Sequence, residues 1–367
     1  MKQRLKNILA CIAVILCFFA LLGLCSRLLS PKYCTDLVEG GMIGQYYHQS
    51  GNHDVIFIGD CEVYSNFSPM EMYRSHGITA YVRGSSQQLI WQSYYILRET
   101  LKYEKPKAVV YNVNAMRYSE PVSEAYNRLT IDTMRWSKEK FSIIRASMME
   151  EESFLYYVFP ILRYHSRFVE LTAEDIEYLF KDKDNTHNGY LMNQNVKPAA
   201  NLPAMRPLAD YTFSDICYDY LDKTMQLCKE NHVELILIKA PSLYPYWYDE
   251  YDSQISQYAQ KNGLHYYNFT QCNEEIGLDF STDTYDAGLH LNLSGARKLS
   301  VYFAAILQEN HNIPDQRENE EIAQLYAKKL KRYDEEIEKG RLDQHEKDDP
   351  ASSGNYGYID SLQSCTG

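Results

Sequence analysis

The chain is short of positive charge: 37 Lys and Arg stand against 49 Asp and Glu, a net charge of −12 over 367 residues. Nucleic acid and anionic lipid headgroups both need a cationic face, so neither is an expected ligand. A phosphate-cradling P-loop, a dinucleotide fingerprint and a His/Cys cluster with metal-ligand spacing are all missing, so no cofactor or metal is implied. Nine cysteines are present, but Cys11, Cys17 and Cys25 lie in or beside one apolar run. The spacing of the others, Cys34, Cys61, Cys217, Cys228, Cys272 and Cys365, fits neither a disulfide framework nor a zinc site. Cys217 and Cys228 fall on one expected helix about 16 Å apart, too far to bridge.

At the amino terminus, Lys2, Arg4 and Lys6 precede an uninterrupted apolar run from Ile8 to Leu24. That length suits one bilayer crossing. The flanking cations place the amino terminus in the cytoplasm and everything past about residue 30 outside. A cleaved signal peptide is the competing reading, but its apolar stretch is usually shorter and ends in a small-x-small site. No Ala-x-Ala follows the run, and Leu24 stands where a lipoprotein signal before Cys25 needs a small residue. Residues 1–30 therefore read as a cytoplasmic basic stretch and a single-pass anchor, and 31–313 as an extracytoplasmic domain.

Within that domain short apolar runs alternate with helical periods. Strands are expected at 54–60 (DVIFIGD), 79–84 (TAYVRG), 108–114 (AVVYNVN), 233–240 (VELILIKA) and 264–270 (LHYYNFT). Helices are expected at 69–76, 86–103, 214–231, 249–262 and 294–310. The first, third and fourth strands are apolar throughout rather than alternating, which implies burial on both faces, as in a parallel sheet. The expected fold is a flavodoxin-like, three-layer, doubly wound α/β domain with five strands.

In such a sheet the ligand lies at the carboxyl ends of the strands. Cys61 follows strand one in a Gly-Asp-Cys turn, Gly84 with Ser85 and Ser86 closes strand two, and Asn112 nears the end of strand three. Asp286 and His290, in TYDAGLHLNLSG, follow strand five. In this order the motifs resemble the SGNH (GDSL-like) hydrolase superfamily, in the membrane-anchored branch similar to teichoic-acid D-alanylation and polysaccharide O-acetylation proteins. The resemblance covers about 50–115 and 215–310, with 116–213 as a helical insertion. It implies a nucleophile at Cys61, an oxyanion hole from Gly84 and Asn112 with the Cys61 N–H, and a base and orienting acid at His290 and Asp286, with Asn292 and Gly295 completing the last motif. The implied activity is esterase or O-acyltransferase chemistry on a cell-envelope polymer, with an integral membrane O-acyltransferase as partner.

Two departures from the family pattern stand out. The nucleophile position holds Cys rather than Ser, and Asp286 precedes His290 by four residues where three is usual. Either the loop has one extra residue, or Asp283 or a backbone carbonyl orients the imidazole. A thiol near His290 and a helix start would have its pKa lowered, while the flanking Asp60 and Glu62 oppose this. The alternative readings are that Cys61 is a buried structural cysteine, that Gly84 is only a turn glycine, and that Ser85 caps a helix or serves as a hydroxyl nucleophile. Asn114 rivals Asn112.

Further binding residues are expected in the insertion, where His165 and Arg167 stand among aromatics and suit an anionic polymer, or else lie on a solvated face. Tyr244, Tyr246 and Trp247 follow strand four, where flat rings suit sugar faces or simply pack. Residues 314–342 read as a charged amphipathic helix resting on the domain or on a partner, and 343–367 have the composition of a disordered tail. Three functional classes remain: an acyltransferase or esterase, a catalytically silent binding protein using the same crevice, and a secreted thiol hydrolase.

Overall fold

Five runs of β-branched and aromatic residues form five parallel strands: β1 Val55–Gly59, β2 Ala80–Gly84, β3 Ala108–Asn112, β4 Glu234–Lys239 and β5 His265–Asn268. Their order across the sheet is β2-β1-β3-β4-β5, the flavodoxin-like doubly wound arrangement expected from the sequence. This computed structural model describes residues 2–32, 39–49, 53–180 and 184–348. The chain winds outward to β2 and then in the other direction from β3, so the crevice where winding reverses opens between β1 and β3.

Both faces of the sheet are covered, which is why β1 to β3 are buried at every position. Val55, Phe57, Val82 and Val110 turn to one layer, formed by α2 Cys61–Asn66, α3 Pro69–His76 and two later helices, Leu293–His311 and Glu320–Asp348. Ile56, Ile58, Tyr81 and Tyr111 turn to the other, formed by α4 Ile90–Thr100 and the helices Asp215–Glu230 and Asp249–Asn262. Each such side chain, fully buried, contributes about 1.5–3 kcal/mol. Local signals fix the helix ends: α3 starts with the Ser68 hydroxyl accepting from the Glu71 N–H and Pro69 in its first turn, and stops at Gly77, whose φ of 68° suits glycine. α4 is shorter than its apolar pattern suggests, because residues 85–89 form a turn with Gln87 at φ 49°.

The insertion supplies α5 Glu124–Ile131, α6 Lys138–Ser147, three short helical turns and α7 Ala173–Phe180. Ile131, Ile143, Ile144 and Tyr157 join Ile96 of α4 in a satellite core. The following loop covers the outer edge of β2, where the Val82 N–H donates to the Asn188 carbonyl at 2.9 Å. Gly189 is there because a Cβ would lie 1.9 Å from the Val82 oxygen. Such a cover blunts an edge strand against foreign pairing.

The remaining helices take the labels α8 Asp215–Glu230, α9 Asp249–Asn262, α10 Leu293–His311 and α11 Glu320–Asp348. The charged helix α11 rests on the domain, with Tyr326 stacked on Tyr73 at 3.9 Å and Tyr333 fully buried. Cys217 and Cys228 are buried free thiols within α8. Of the expected tail, 349–367 lies outside the described residues. At the other end α1 Lys2–Leu29 has a window of mean hydropathy 3.0 with none of it buried, long and apolar enough to cross a membrane.

Candidate active site

Cys61 is the first residue of α2, directly beyond the carboxyl end of β1. The Asp60 carboxylate caps this helix, accepting from the Glu62 N–H at 3.2 Å, while the Asp60 carbonyl accepts from the Val63 N–H. The Cys61 N–H is left without a hydrogen-bond partner among the described residues. Gly84 pairs with Gly59 in the sheet register. A Cβ on Gly84 would lie 2.7 Å from Val63 Cγ2 and 3.1 Å from the carbonyl oxygens of Asp60 and Gly59. Glycine is therefore required there by close packing, whatever else it does.

The loop before α10 brings the imidazole to the thiol from about 230 residues away. His290 Nδ1 pairs with Asp286 Oδ2 at 2.6 Å, and the His290 backbone N–H donates to Asp286 Oδ1 at 2.8 Å. One carboxylate thus holds both the ring and the backbone of the residue four positions on. The extra loop residue is absorbed by left-handed conformations at Ala287 (φ 65°) and Gly288 (φ 102°). Asp283 is engaged elsewhere, with Lys298 at 2.6 Å and the Asp279 N–H at 2.9 Å. With Nδ1 committed, Nε2 is the ring nitrogen that remains for Cys61. Thiol and imidazole are near enough for each to shift the other's pKa.

Burial pushes the Cys61 thiol up; His290 pulls it down, and Asp60 and Glu62 add to the rise, so the net direction is upward. The lowering expected from the helix start and the imidazole is outweighed by desolvation and acidic neighbours. For His290, burial opposes protonation, but Tyr285, Cys61 and the Asp286 hydrogen bond together raise its pKa well above the ordinary imidazole value. The Tyr285 ring lies stacked against His290 at 5.8 Å, with its hydroxyl 3.2 Å from Ser65 Oγ.

Beneath the thiol lies a buried polar network that sequence reasoning did not foresee. Lys239, fully buried at the end of β4, donates to both Glu62 oxygens at 2.7 and 2.9 Å. Ser242 donates to the same carboxylate at 3.0 Å. Burial opposes ionisation of Glu62, but the Lys239 charge together with hydrogen bonds from Lys239 and Asn112 holds its pKa below the usual range, whereas burial and the neighbouring Glu62 push Asp60 up. A lysine closing the apolar strand ELILIK was the signal available in the sequence, because a lysine buried with such a strand needs a partner.

This network changes the part expected of Asn112. Its amide donates to Asp60 Oδ1 at 3.0 Å and to Glu62 Oε2 at 2.9 Å, and its carbonyl accepts from the Ala240 N–H at 3.1 Å. Both N–H groups are consumed and the residue is fully buried, so Asn112 has no donor for an oxyanion and instead ties β3 to β4 and α2. Asn114 likewise donates to Asp60 Oδ2 at 2.6 Å.

The other expected binding residues disperse. His165 is exposed, and Arg167 donates to the Leu29 carbonyl of α1 at 2.6 Å and lies 3.6 Å from Asp175, away from the thiol. Arg167 thus holds the insertion to α1 rather than facing a polymer at the site. Ser85 is buried and bonds Gln88 at 3.1 Å and Thr130, which leaves no free hydroxyl nucleophile. Trp247 stacks on Phe213, and Tyr246 donates to the Pro203 carbonyl, so these rings pack the segment before α8. Tyr244 packs edge-on against Tyr246. The loop after β4 borders the site through Pro241 and Leu243 instead: Asn66 donates to the Pro241 carbonyl at 3.0 Å, and the Leu243 N–H to the Gly288 carbonyl at 2.7 Å.

An extended strap from the insertion completes the support. The N–H groups of Leu191, Lys197 and Ala199 donate to the carbonyls of Tyr64, Thr284 and Phe280, and those of Ala287 and Leu293 donate to the carbonyls of Lys197 and Asn193. The strap thus fastens the His290 loop to α2. Cavities of about 340 and 560 Å³ lie elsewhere, and Cys61 itself is half-buried.

No family model matches the chain, and no curated protein matches it. Among solved structures it is similar to a lipolytic protein of the G-D-S-L family from Desulfitobacterium hafniense DCB-2, at 12% identity and a TM-score of 0.36, over 70% of this chain and 100% of that one. A second is an acylhydrolase from Bacteroides fragilis NCTC 9343, at 13% identity and 0.35, over 72% and 94%. A third is a GDSL-like lipase from Bacteroides thetaiotaomicron VPI-5482, at 12% and 0.31, over 70% and 87%. At such identity and overlap the chemistry rests on the geometry above.

Proposed function

We propose that the protein is a membrane-anchored, extracytoplasmic SGNH-like acyl-ester hydrolase or O-acyltransferase that works through a thioester on a cell-envelope polysaccharide or teichoic acid. The observation that carries this reading is the row Cys61, His290, Asp286, with the carboxylate held to Nδ1 at 2.6 Å and the thiol close enough to the imidazole for each to shift the other's pKa. Such a row fits covalent acyl transfer. His290 Nε2 takes the thiol proton as Sγ bonds to the ester carbonyl carbon. Collapse of the tetrahedral oxyanion breaks the carbon–oxygen bond, and the imidazolium returns the proton to the departing alcohol. Water or a polymer hydroxyl then attacks the thioester, His290 takes its proton, and the thiol is restored.

The Cys61 N–H is the donor free to meet the oxyanion, with Gly84 N–H as the second, and one such donor is worth about 3 kcal/mol. α1 would hold the domain at the outer membrane face, within reach of an integral membrane O-acyltransferase as acyl donor.

Labelling of Cys61 by iodoacetamide tests the site, with Cys61→Ala as the blank for the other thiols. Labelling should fall in His290→Ala, and ester turnover should vanish in both variants. Full turnover in both ends the enzymatic reading. Labelling independent of His290 without turnover in the native chain favours the second reading, a silent binding protein, for which the upward-shifted thiol speaks.

A further inference from the structure

The insertion carries apolar side chains that nothing in the domain covers, gathered where α1 leaves its apolar stretch. Ile161–Tyr164, His165–Val169 and α7 all pack on α1. The level along α1 is fixed by named contacts. Arg27 donates to the Tyr178 carbonyl at 3.1 Å, Arg167 to the Leu29 carbonyl, and Lys32 to Asp175 at 3.0 Å in a buried ion pair. Residues 2–21 of α1 are exposed throughout.

From Lys6 to Arg27 the helix rises about 31 Å, the thickness of a hydrocarbon core. Arg27 and Lys32 therefore mark the outer interface, and the ring of Tyr178 between them is of the kind that favours that depth. At this same level Phe168, Val169 and Phe180 are 68%, 72% and 84% exposed. Ile176 is exposed too and lies one turn before Phe180 on the same face of α7. In water these residues would be an unexplained apolar patch. At an interface they would be immersed.

We infer that this face of the insertion dips into the outer leaflet, so that the domain is held by an interfacial patch as well as by the spanning helix, with its orientation to the bilayer fixed. The inference rests on α1 being a membrane anchor. An element of this kind buries its apolar face about 5–10 Å into the headgroup and acyl boundary. The acidic Glu174 and Glu177 of α7 are exposed, so the contact is apolar and does not need anionic lipid.

The test uses the full chain in phosphatidylcholine vesicles, with lipid chains plain, brominated near the headgroup to report on the patch, or brominated near the terminal methyl to report on the spanning segment. Phe168→Trp and Phe180→Trp place an indole at the patch, and Leu16→Trp places one in the spanning segment; the native chain supplies the background of its own Trp residues. Brominated lipid should quench the added emission at 168 and 180 at least twofold, as it does at 16. Quenching at 16 alone overturns the inference and leaves the anchor standing, whether the patch faces water or, as a blue-shifted but unquenched emission would reveal, lies against a second copy or another protein. Absence of quenching at all three positions overturns the anchor and this inference with it.

Discussion

At the scale of single residues, the site is governed by how many protons the Cys61–His290 pair holds. Both pKa values are displaced upward, so the nucleophile appears only when the pair loses a proton. Ester turnover should accordingly rise with pH, with its acid limb above the ordinary imidazole range. Asp286→Asn removes a contribution that raises His290, so a pH profile of kcat/KM should show the limb moved to lower pH, while kcat falls about 10³- to 10⁴-fold from loss of the tautomer lock. An unmoved limb would detach Asp286 from the base. Lys239 presents the second case. Removing it leaves Glu62 charged and buried, so Lys239→Met should cost about 3–5 kcal/mol, and Glu62→Gln with Lys239→Met should recover most of that, because the burial cost belongs to the orphaned charge. Thermal unfolding of the two variants distinguishes this from a mere packing loss, in which the double variant would be no better.

At the scale of elements, the junction of β1, β2 and α2 works because two glycines let backbones meet where Cys61 emerges. Gly84→Ala would set a methyl 2.7 Å from Val63 and against two carbonyl oxygens, forcing α2 outward with its thiol. Overpacking of this kind costs about 1–3 kcal/mol. Turnover should drop further than stability, since Cys61 moves relative to His290; equal activity at lower melting temperature would show that α2 tolerates the shift. The strands themselves were legible from β-branched runs, and α3 from its Ser68, Pro69 and Gly77 punctuation. The start of α4 was not, because Gln87 in a left-handed turn interrupts a sequence that still reads as helical. The strap at 191–199 was also invisible: it has no periodicity, and its backbone bonds go to α2 and to the distant His290 loop.

For the molecule as a whole, the proposed reading gives anchoring to the apolar helix and chemistry to the α/β domain. In sealed vesicles with the outer face exposed, added protease should remove the domain and spare the segment around residues 2–30, and the amino-terminal sequence of the mature chain should begin at its first residues. Protection of the domain would reverse the orientation, and a start beyond Leu24 would make α1 a cleaved signal. Mounting the site at the carboxyl rim leaves the amino ends of the strands free for unrelated contacts, such as His311 bridging Glu234 at 2.7 Å and Tyr267 at 2.9 Å.

The sequence by itself determined the five parallel strands and their helices, because burial on both faces demands continuous apolar runs, and it determined which edge of the sheet carries Cys61, Gly84 and His290, because strand direction puts them there. It could not decide what each polar group at that edge does. Asn112 stands where a donor was expected, yet hydrogen-bond satisfaction of two buried carboxylates consumes it, and Arg167 binds the end of α1 instead of a polymer. Those outcomes depend on which groups meet across distant segments in a dry interior, and only tertiary packing sets that.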